Sequence, residues 1–151
     1  MLFRSGSICL PACRRIPARN WSCLLRLDGK ISYITNNYSH ISFNVGPTLH
    51  AWIARHDPTL AESLLHADRF ATQALGAGGA IAQAYNHMIL PLSEERDIRT
   101  QVRWGARDFE YRYGRPPRGM WLPETAVDTR TLEALADSAT QIGRASCRER
   151  V

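Results

Sequence analysis

The sequence has 151 residues, of which 44% are hydrophobic, and its formal net charge is +5 with a pI of about 9.4. This length fits one domain or part of a larger one, and the apolar content is too high for a disordered chain. No apolar run approaches the roughly 20 residues of a membrane-spanning helix. The net positive charge, taken by itself, favours nucleic-acid binding.

The positive charge lies in the two ends of the chain. From Arg26 to Thr140 there are 12 Lys and Arg against 13 Asp and Glu, a net charge of −1. Residues 1–25 and 141–151 together carry seven Arg and one Glu, a net charge of +6. Nucleic-acid binding therefore ranks last among the functions considered. The four cysteines also lie in the ends, and a cysteine-free interior fits a reducing compartment, so we expect a cytoplasmic protein.

The ends need an interpretation of their own before the fold is considered. The start, LFRS, and the end, IGRASCRERV, both resemble translated sequencing-adapter DNA. We interpret residues 1–24 as an artefact or non-native tail and residues 142–151 as an adapter-derived tail, and we expect neither to pack on the interior. Residues 6–24 could instead be native, and both ends could be natural solvated tails. The fold is expected in residues 25–141.

The first half of the interior predicts short strands followed by helices. The pair Asp28-Gly29 indicates a tight turn between two extended pieces, the second at Ile31–Ile34. Ile41–Val45 alternates apolar and polar residues, which is typical of a strand. Thr48 opens a short helix, and Asp57 precedes Pro58 as the N-cap of a second helix.

The second half continues the alternation. Ala80–Leu90 is long enough for a strand or a helix, and Met88–Leu90 favours a buried strand at its end. Ser93 predicts the cap of a long helix, Gly119–Leu122 predicts a strand, and Asp128 or Thr129 predicts the cap of the last helix. The apolar stripes of the two long helices are Leu60, Leu64, Ala67, Ala71 and Leu75, and Ile98, Val102, Ala106, Phe109 and Tyr113.

This order of elements is typical of parallel α/β units. About three such units are present, which is too few to close a barrel that needs about eight. Barrels of this class build their active sites at the carboxyl ends of the strands. The polar residues at predicted strand ends are Asn44, Asn86, His87 and Glu124.

Glu124 attracts most interest because it directly follows a buried strand and Pro123. Its alternative interpretation is a helix cap or a surface charge. A histidine beside apolar residues, as His87 is, is usually a hydrogen-bonded core residue. We expect Trp121 and Leu122 to be largely buried. No phosphate loop, zinc-ligand spacing or nucleophile elbow is found, so no metal is expected.

Four stretches together resemble glycoside hydrolase family 57, and in particular its amylase- and mannosidase-like branch. They are NNYSHISFNVGPTL, AQAYNHMILPL, RTQVRWGARDFEYRYGRPPRGMWLPETAVD and LEAL. The resemblance covers roughly Leu27 to Ala139, and the long context around WLPE makes it specific.

The resemblance implies an incomplete (β/α)7 barrel and retaining chemistry on an α-glucan-type polysaccharide or oligosaccharide. It implies that Glu124 is the nucleophile, that His87 contacts substrate and that Trp121 lines the sugar site. Asn44 and Asn86 are further candidates for substrate binding. A retaining enzyme needs one carboxylate that attacks the anomeric carbon and a second carboxyl about 5–5.5 Å away. No nucleic acid, membrane, metal or cofactor is implied, and the oligomeric state is left open.

Two expected motifs of the family are absent from the sequence. The early histidine motif should lie upstream of Leu27, and the acid/base Asp should lie beyond Val151. We therefore expect an internal fragment that is inactive alone. The alternatives are a non-catalytic carbohydrate-binding barrel and, ranked lower, a metal-dependent polysaccharide deacetylase, for which His87 lacks a neighbouring Asp motif.

Overall fold

The computed structural model describes residues 21–28 and 30–138, which fall into two compact units divided after Asn37. The first unit holds an antiparallel hairpin of β1 (Trp21–Leu25) and β2 (Ile31–Asn36). The Lys30 amide donates to the Asp28 carboxylate at 3.1 Å. The predicted turn at Asp28 between two extended pieces is confirmed, and Gly29 itself lies outside the described residues.

The hairpin also bears on the interpretation of the amino-terminal end. Strand β1 crosses residue 24, so Trp21 and Ser22 pair with residues of the interior, Asn36 and Thr35. Residues 1–20 and 139–151, which hold most of both predicted tails, lie outside the described residues. The assignment of the tails as artefacts stays a prediction.

The second unit runs from Tyr38, and its described residues form four helices and a small parallel sheet. Its elements in chain order are α1 (Pro47–His56), α2 (Pro58–Leu75), β3 (Ala82–Gln83), α3 (Glu95–Tyr113), β4 (Met120–Trp121) and α4 (Thr129–Ser138). Short 3-10 turns occupy Asn37–His40, Leu90–Leu92 and Pro123–Thr125. None of the helices within the described ranges is long and apolar enough to cross a bilayer.

The helix ends follow the sequence signals with one exception. The Asp57 carboxylate accepts the Leu60 amide at 3.0 Å, which confirms the predicted cap of α2. Gly76 and Gly114 end α2 and α3 in the left-handed conformation, with φ of 71° and 67°. The predicted cap at Ser93 is wrong, because α3 begins after Glu94 without a side-chain cap.

The sheet of the second unit joins three chain segments. Strand β3 runs parallel to β4, with Ala82 opposite Met120 and Gln83 opposite Trp121. On the other side of β3, Phe43 forms a single parallel bridge with Ala80. Successive amides donate in opposite directions, from Ile81 to the Phe43 carbonyl at 2.8 Å and from Ala82 to the Gly119 carbonyl at 3.1 Å. The predicted mixed α/β character is confirmed, whereas barrel closure is not tested by a sheet this small.

Two predicted strands differ from the structure. Ile41–Val45 contributes only the Phe43 bridge, rather than a full strand. The strand predicted at Met88–Leu90 is wrong, because that run enters the 3-10 turn Leu90–Leu92. Leu90 is fully buried against the helices, so the apolarity of this run reflects burial of a turn and not of a strand.

Two hydrophobic clusters hold the second unit together, one on each side of Met120. The first contains Phe43, Ile53, Ala61, Leu64, Ala80, Ala82 and Phe109. The second contains Ala84, Leu90, Ile98, Val102 and Ala134. Both predicted helix stripes therefore face the core at their centres, although Leu75 at the end of α2 is 75% exposed.

A buried ion pair holds the start of β3. Asp68 of α2 is 2% exposed and receives both Nε and Nη2 of Arg115, at 2.9 and 2.7 Å. The same carboxylate accepts the Ala80 amide at 2.8 Å, and the Arg115 guanidinium lies over the Phe109 ring at 4.9 Å. Because every oxygen of Asp68 has a partner, the pair links α2, β3 and the loop before β4 without leaving an uncompensated charge.

Candidate functional site

The polar residues that the sequence singled out follow three adjacent parallel segments. Asn44 follows the Phe43 bridge, Asn86 and His87 follow β3, and Glu124 follows β4. Since neighbouring parallel strands end on the same side of a sheet, these residues share one edge. We call residues 44, 84–87 and 122–125 the carboxyl edge.

Asn44 connects the first two segments of this edge. Its Nδ2 donates to Oε1 of Gln83 at 2.7 Å. Gln83 is 9% exposed and lies so close to Gly46 that a Cβ there would come within 2.6 Å of the Gln83 Nε2. The Gln83 amide is therefore held in place, and Asn44 is both bonded to it and exposed to solvent.

The loop after β3 presents Asn86 and His87 to solvent. The His87 amide donates to the Ala84 carbonyl at 3.0 Å, which closes a tight turn, and His87 has a φ of 56°. Both side chains are exposed, so the alternative of a core histidine does not apply to His87. The loop aims two polar side chains outward instead of burying them.

Glu124 lies within the 3-10 turn that follows β4. Its φ of 54° and ψ of 19° are left-handed, and Thr125 follows with a φ of 55°. The turn is closed by hydrogen bonds from Thr125 to Leu122 and from Ala126 to Pro123, at 3.0 and 3.1 Å. The Glu124 side chain is exposed, and its carboxylate has no hydrogen-bond partner in the part of the chain that the structure describes.

The cap of α4 is Asp128, as one of the two sequence alternatives predicted. Its Oδ1 accepts the amide and the hydroxyl of Thr131, at 2.8 and 2.6 Å. These hydrogen bonds lower the pKa of the Asp128 carboxyl below its ordinary value, since they favour the charged form. Because the Asp128 carboxylate caps α4, Glu124 is not the cap of that helix.

Backbone strain is concentrated on the carboxyl edge. Within residues 21–28 and 30–138, the non-glycine residues with positive φ are His87, Glu124 and Thr125. Such conformations cost on the order of 1–3 kcal/mol each, and they cluster at functional sites. A β-branched residue such as Thr125 is an outlier there. Two of the three residues are ones that the sequence had already selected as site candidates.

Trp121 differs from its prediction as a buried residue, since it is 44% exposed. Successive strand residues point to opposite faces of a sheet. Met120 and Leu122 pack against the hydrophobic clusters, so strand alternation places the Trp121 side chain on the opposite face of the strand. The indole is thus partly accessible to solvent beside the carboxyl edge.

Sequence reasoning missed two residues that shape this edge, Gln83 and Gln101. Gln101 is 5% exposed, and its Oε1 accepts the Asn86 amide at 2.7 Å. The signal was present, because Gln101 interrupts the apolar stripe of α3 between Ile98 and Val102. A glutamine on a buried helix face needs a polar partner.

The described residues contain no candidate metal site. Among residues 21–28 and 30–138, no group of three or more His, Cys, Asp and Glu side chains is placed to hold a metal ion. The deacetylase alternative would require such a cluster.

Comparison with known proteins bears on the second half of the chain. The family whose model matches is Glycosyl hydrolase family 57, over residues 71–142. Neither the curated proteins nor the solved structures gave a match. Asn86, His87, Trp121 and Glu124 lie inside the matched range, and Asn44 lies outside it. This chain therefore contains a glycoside hydrolase family 57-like region that includes the loop after β3 and the turn after β4.

Proposed function

We propose that the carboxyl edge is the sugar site of a retaining glycoside hydrolase or glycosyltransferring enzyme that acts on α-glucan-type polysaccharide, with Glu124 as the nucleophile. The observation that carries the proposal is that His87 and Glu124 follow two neighbouring parallel strands. Both follow parallel strands paired in register, both are exposed, and both have left-handed backbones.

The chemistry requires a carboxylate with an oxygen free to form a new bond. In the first step a Glu124 oxygen attacks the anomeric carbon while the bond to the leaving oxygen breaks and an acid protonates that oxygen. Water then attacks the same carbon and releases the carboxylate, or a second sugar does so in a transfer reaction. An exposed carboxylate without a competing hydrogen bond fits the first step.

The other residues of the edge have roles that follow from their chemistry. His87 and the amides of Asn86 and Asn44 can exchange hydrogen bonds with sugar hydroxyls. Trp121 offers an apolar ring surface that is 44% exposed beside the strand end. A site of a few placed polar groups next to an aromatic surface is typical of ligand sites.

We also propose that this α/β unit is part of a larger (β/α)7 barrel. Strand β4 pairs with β3 on one side, and its other edge has no partner among the described residues. Parallel strands are normally paired and covered on both sides. Three helices each carry a large apolar side chain that is more than half exposed, namely Trp52, Trp104 and Leu132. This exposure fits packing against further elements of a larger barrel.

Covalent trapping tests the nucleophile directly. The probe is an α-glucosyl fluoride with a second ring fluorine that slows breakdown of the glycosyl-enzyme. Fluoride leaves without protonation, so the test does not need the acid/base residue, to which no residue of this chain is assigned. We expect mass spectrometry to find one added sugar on the peptide that contains Glu124, whereas turnover of a natural α-glucan by the same chain is poor.

Two variants control this experiment. Glu124→Gln keeps the shape of the side chain and should abolish the label, while Glu133→Gln, at an exposed carboxylate of α4, should leave it unchanged. A label on another carboxylate removes the assigned role. Oligosaccharide binding without any label favours the non-catalytic carbohydrate-binding alternative.

A further inference from the structure

The loop that carries Asn86 and His87 is attached to one residue of α3. Gln101 uses two different atoms for this. Its backbone carbonyl accepts the Tyr85 amide at 3.2 Å, and its side-chain Oε1 accepts the Asn86 amide at 2.7 Å. Two consecutive amides of the loop thus donate hydrogen bonds to the same residue of α3, which is 5% exposed.

The next turn of the helix brings the same loop into close contact. A Cβ on Gly105 would lie 2.0 Å from the Gln83 carbonyl oxygen, so the backbones of α3 and β3 touch here. The Tyr85 ring meets the Trp104 ring edge to face at 5.6 Å. The segment from Gln83 to Asn86 therefore follows α3 closely for one helical turn.

The end of this attachment coincides with the start of the strained turn. One residue after Asn86, His87 adopts a φ of 56°, and its amide returns to Ala84 at 3.0 Å. A histidine in this conformation persists only when its surroundings fix it. The hydrogen bond from Asn86 to Gln101 is the last contact with the helix before that residue.

We infer that Gln101 is a positioning residue for the candidate sugar site. It fixes the backbone of Asn86, sets the left-handed conformation of His87, and so determines where the imidazole meets the sugar. The inference rests on the proposed function for its consequence in sugar binding, while its structural part stands on the hydrogen bonds alone.

Amide hydrogen exchange tests the structural part. Gln101→Met has a similar volume and no acceptor, and loss of one buried hydrogen bond is worth about a factor of ten in local opening. We expect the Asn86 and His87 amides to exchange about tenfold faster, with the amides of α3 and β4 unchanged. Gln101→Glu retains an acceptor oxygen and should restore protection, and Gln73→Met, at an exposed glutamine of α2, should change nothing.

A general loss of protection across α3, β3 and β4 in Gln101→Met would overturn the inference, because it would make Gln101 a structural residue of the whole unit. Unchanged exchange at Asn86 would overturn it as well. Both outcomes are read without any sugar, so they are separate from the fate of the proposed function.

A double-mutant cycle tests the consequence for sugar binding, with a linear malto-oligosaccharide as the probe and Kd as the readout. Gln101→Met should weaken binding several-fold in the wild-type background. The same change should have almost no effect in a His87→Ala background, since its effect passes through His87. Equal losses in both backgrounds contradict positioning through His87. A wild-type chain that binds no sugar contradicts the proposed function and leaves the exchange result to decide the role of Gln101.

Discussion

The two ends of the parallel strands in the second unit are built in opposite ways. At the amino end, the buried Asp68 carboxylate accepts hydrogen bonds from the Arg115 guanidinium and from the Ala80 amide, just before β3. At the carboxyl end, the carboxylate of Glu124 is exposed, and the backbone there is strained at His87 and Glu124. At the first end both oxygens of the Asp68 carboxylate have partners, whereas the second end leaves the Glu124 carboxylate without one among the described residues.

The difference separates stability from function within one small sheet. Residues at the amino ends of barrel strands generally contribute to stability, and those at the carboxyl ends to catalysis. The hydrogen bonds at the amino end hold the strands in register. The carboxyl end can therefore keep exposed side chains and unfavourable backbone angles. The predictions below test this division, beginning with the largest effect.

Removing the charge at the amino end should have the largest effect on stability. Asp68→Asn leaves the half-buried Arg115 without its charged partner, and breaking a buried pair costs up to about 3–5 kcal/mol. Chemical denaturation should show that loss in the free energy of unfolding. Glu62→Gln, at an exposed carboxylate of the same helix, should change it by less than about 0.5 kcal/mol. Similar losses in both variants would contradict the special role of Asp68.

Closing the space between α3 and β3 should have the next largest effect. Gly105→Ala places a Cβ 2.0 Å from the Gln83 carbonyl oxygen, and overpacking of this kind costs about 1–3 kcal/mol. Gly119→Ala is the matched control, since its Cβ would meet Ile81 at an ordinary 3.8 Å. Thermal unfolding of the two variants makes the comparison, and a Gly105→Ala chain as stable as wild type would show that the helix moves away without cost.

Relieving strain at the carboxyl end should raise stability while it removes function. Asparagine tolerates the left-handed conformation better than glutamate, so Glu124→Asn should stabilise the chain by about 1 kcal/mol or less. The same variant should lose the covalent sugar label. Ala126→Asn, at a residue with a φ of −77°, provides the control and should not stabilise. A destabilised Glu124→Asn chain would mean that the carboxylate has a structural partner.

The smallest effect is a pH dependence that comes from His50 of α1. His50 is 3% exposed and its Nε2 has no hydrogen-bond partner among the described residues, while its Nδ1 lies 3.4 Å from Nη1 of Arg112. Burial, followed by the nearby Arg112 charge, lowers the pKa of His50, and a backbone hydrogen bond and the Asp108 charge act in the opposite direction.

The sign of this dependence follows from proton linkage. The unfolded chain binds the His50 proton at a pKa of about 6.5, above the pKa in the folded chain. Stability should therefore fall as the pH drops below about 6.5, until the folded pKa is reached. His50→Gln should reduce that slope in denaturation measured from pH 7.5 to 5, and His66→Gln, at an exposed histidine of α2, should not. An unchanged slope in His50→Gln would exclude His50 as its source.

Much of the fold was predictable because it depends on local signals. Asp57 and Asp128 cap helices as their side chains allow, and the 3.6-residue period gave the buried centres of α2 and α3. The run Met88–Leu90 misled because a short apolar stretch before a proline shows burial without showing secondary structure. The burial of Trp121 was predicted wrongly, because on a two-residue strand the sequence does not show which of the two side chains faces the helices.

The candidate site was predictable in position more than in detail. Strand ends followed by polar residues indicated Asn44, His87 and Glu124, and the structure brings their segments to one edge. The left-handed backbone at Glu124 could not be foreseen, because glutamate, unlike histidine, is not among the residue types enriched in that conformation. Gln101 beside the apolar stripe of α3 signals a polar partner, but no local pattern reveals that this partner is the Asn86 amide, 15 residues away in the chain.

The central claim is that sugar binds the carboxyl edge and not the amino edge. The most direct test is a titration of the ¹⁵N-labelled chain with a linear malto-oligosaccharide, followed by backbone amide chemical shifts. We expect saturable shifts at Asn86, His87, Trp121 and Glu124, with the shifts of Ala80 and Arg115 unchanged. Shifts at Ala80 and Arg115 with none at Glu124, or no shifts at any residue up to millimolar sugar, would contradict it.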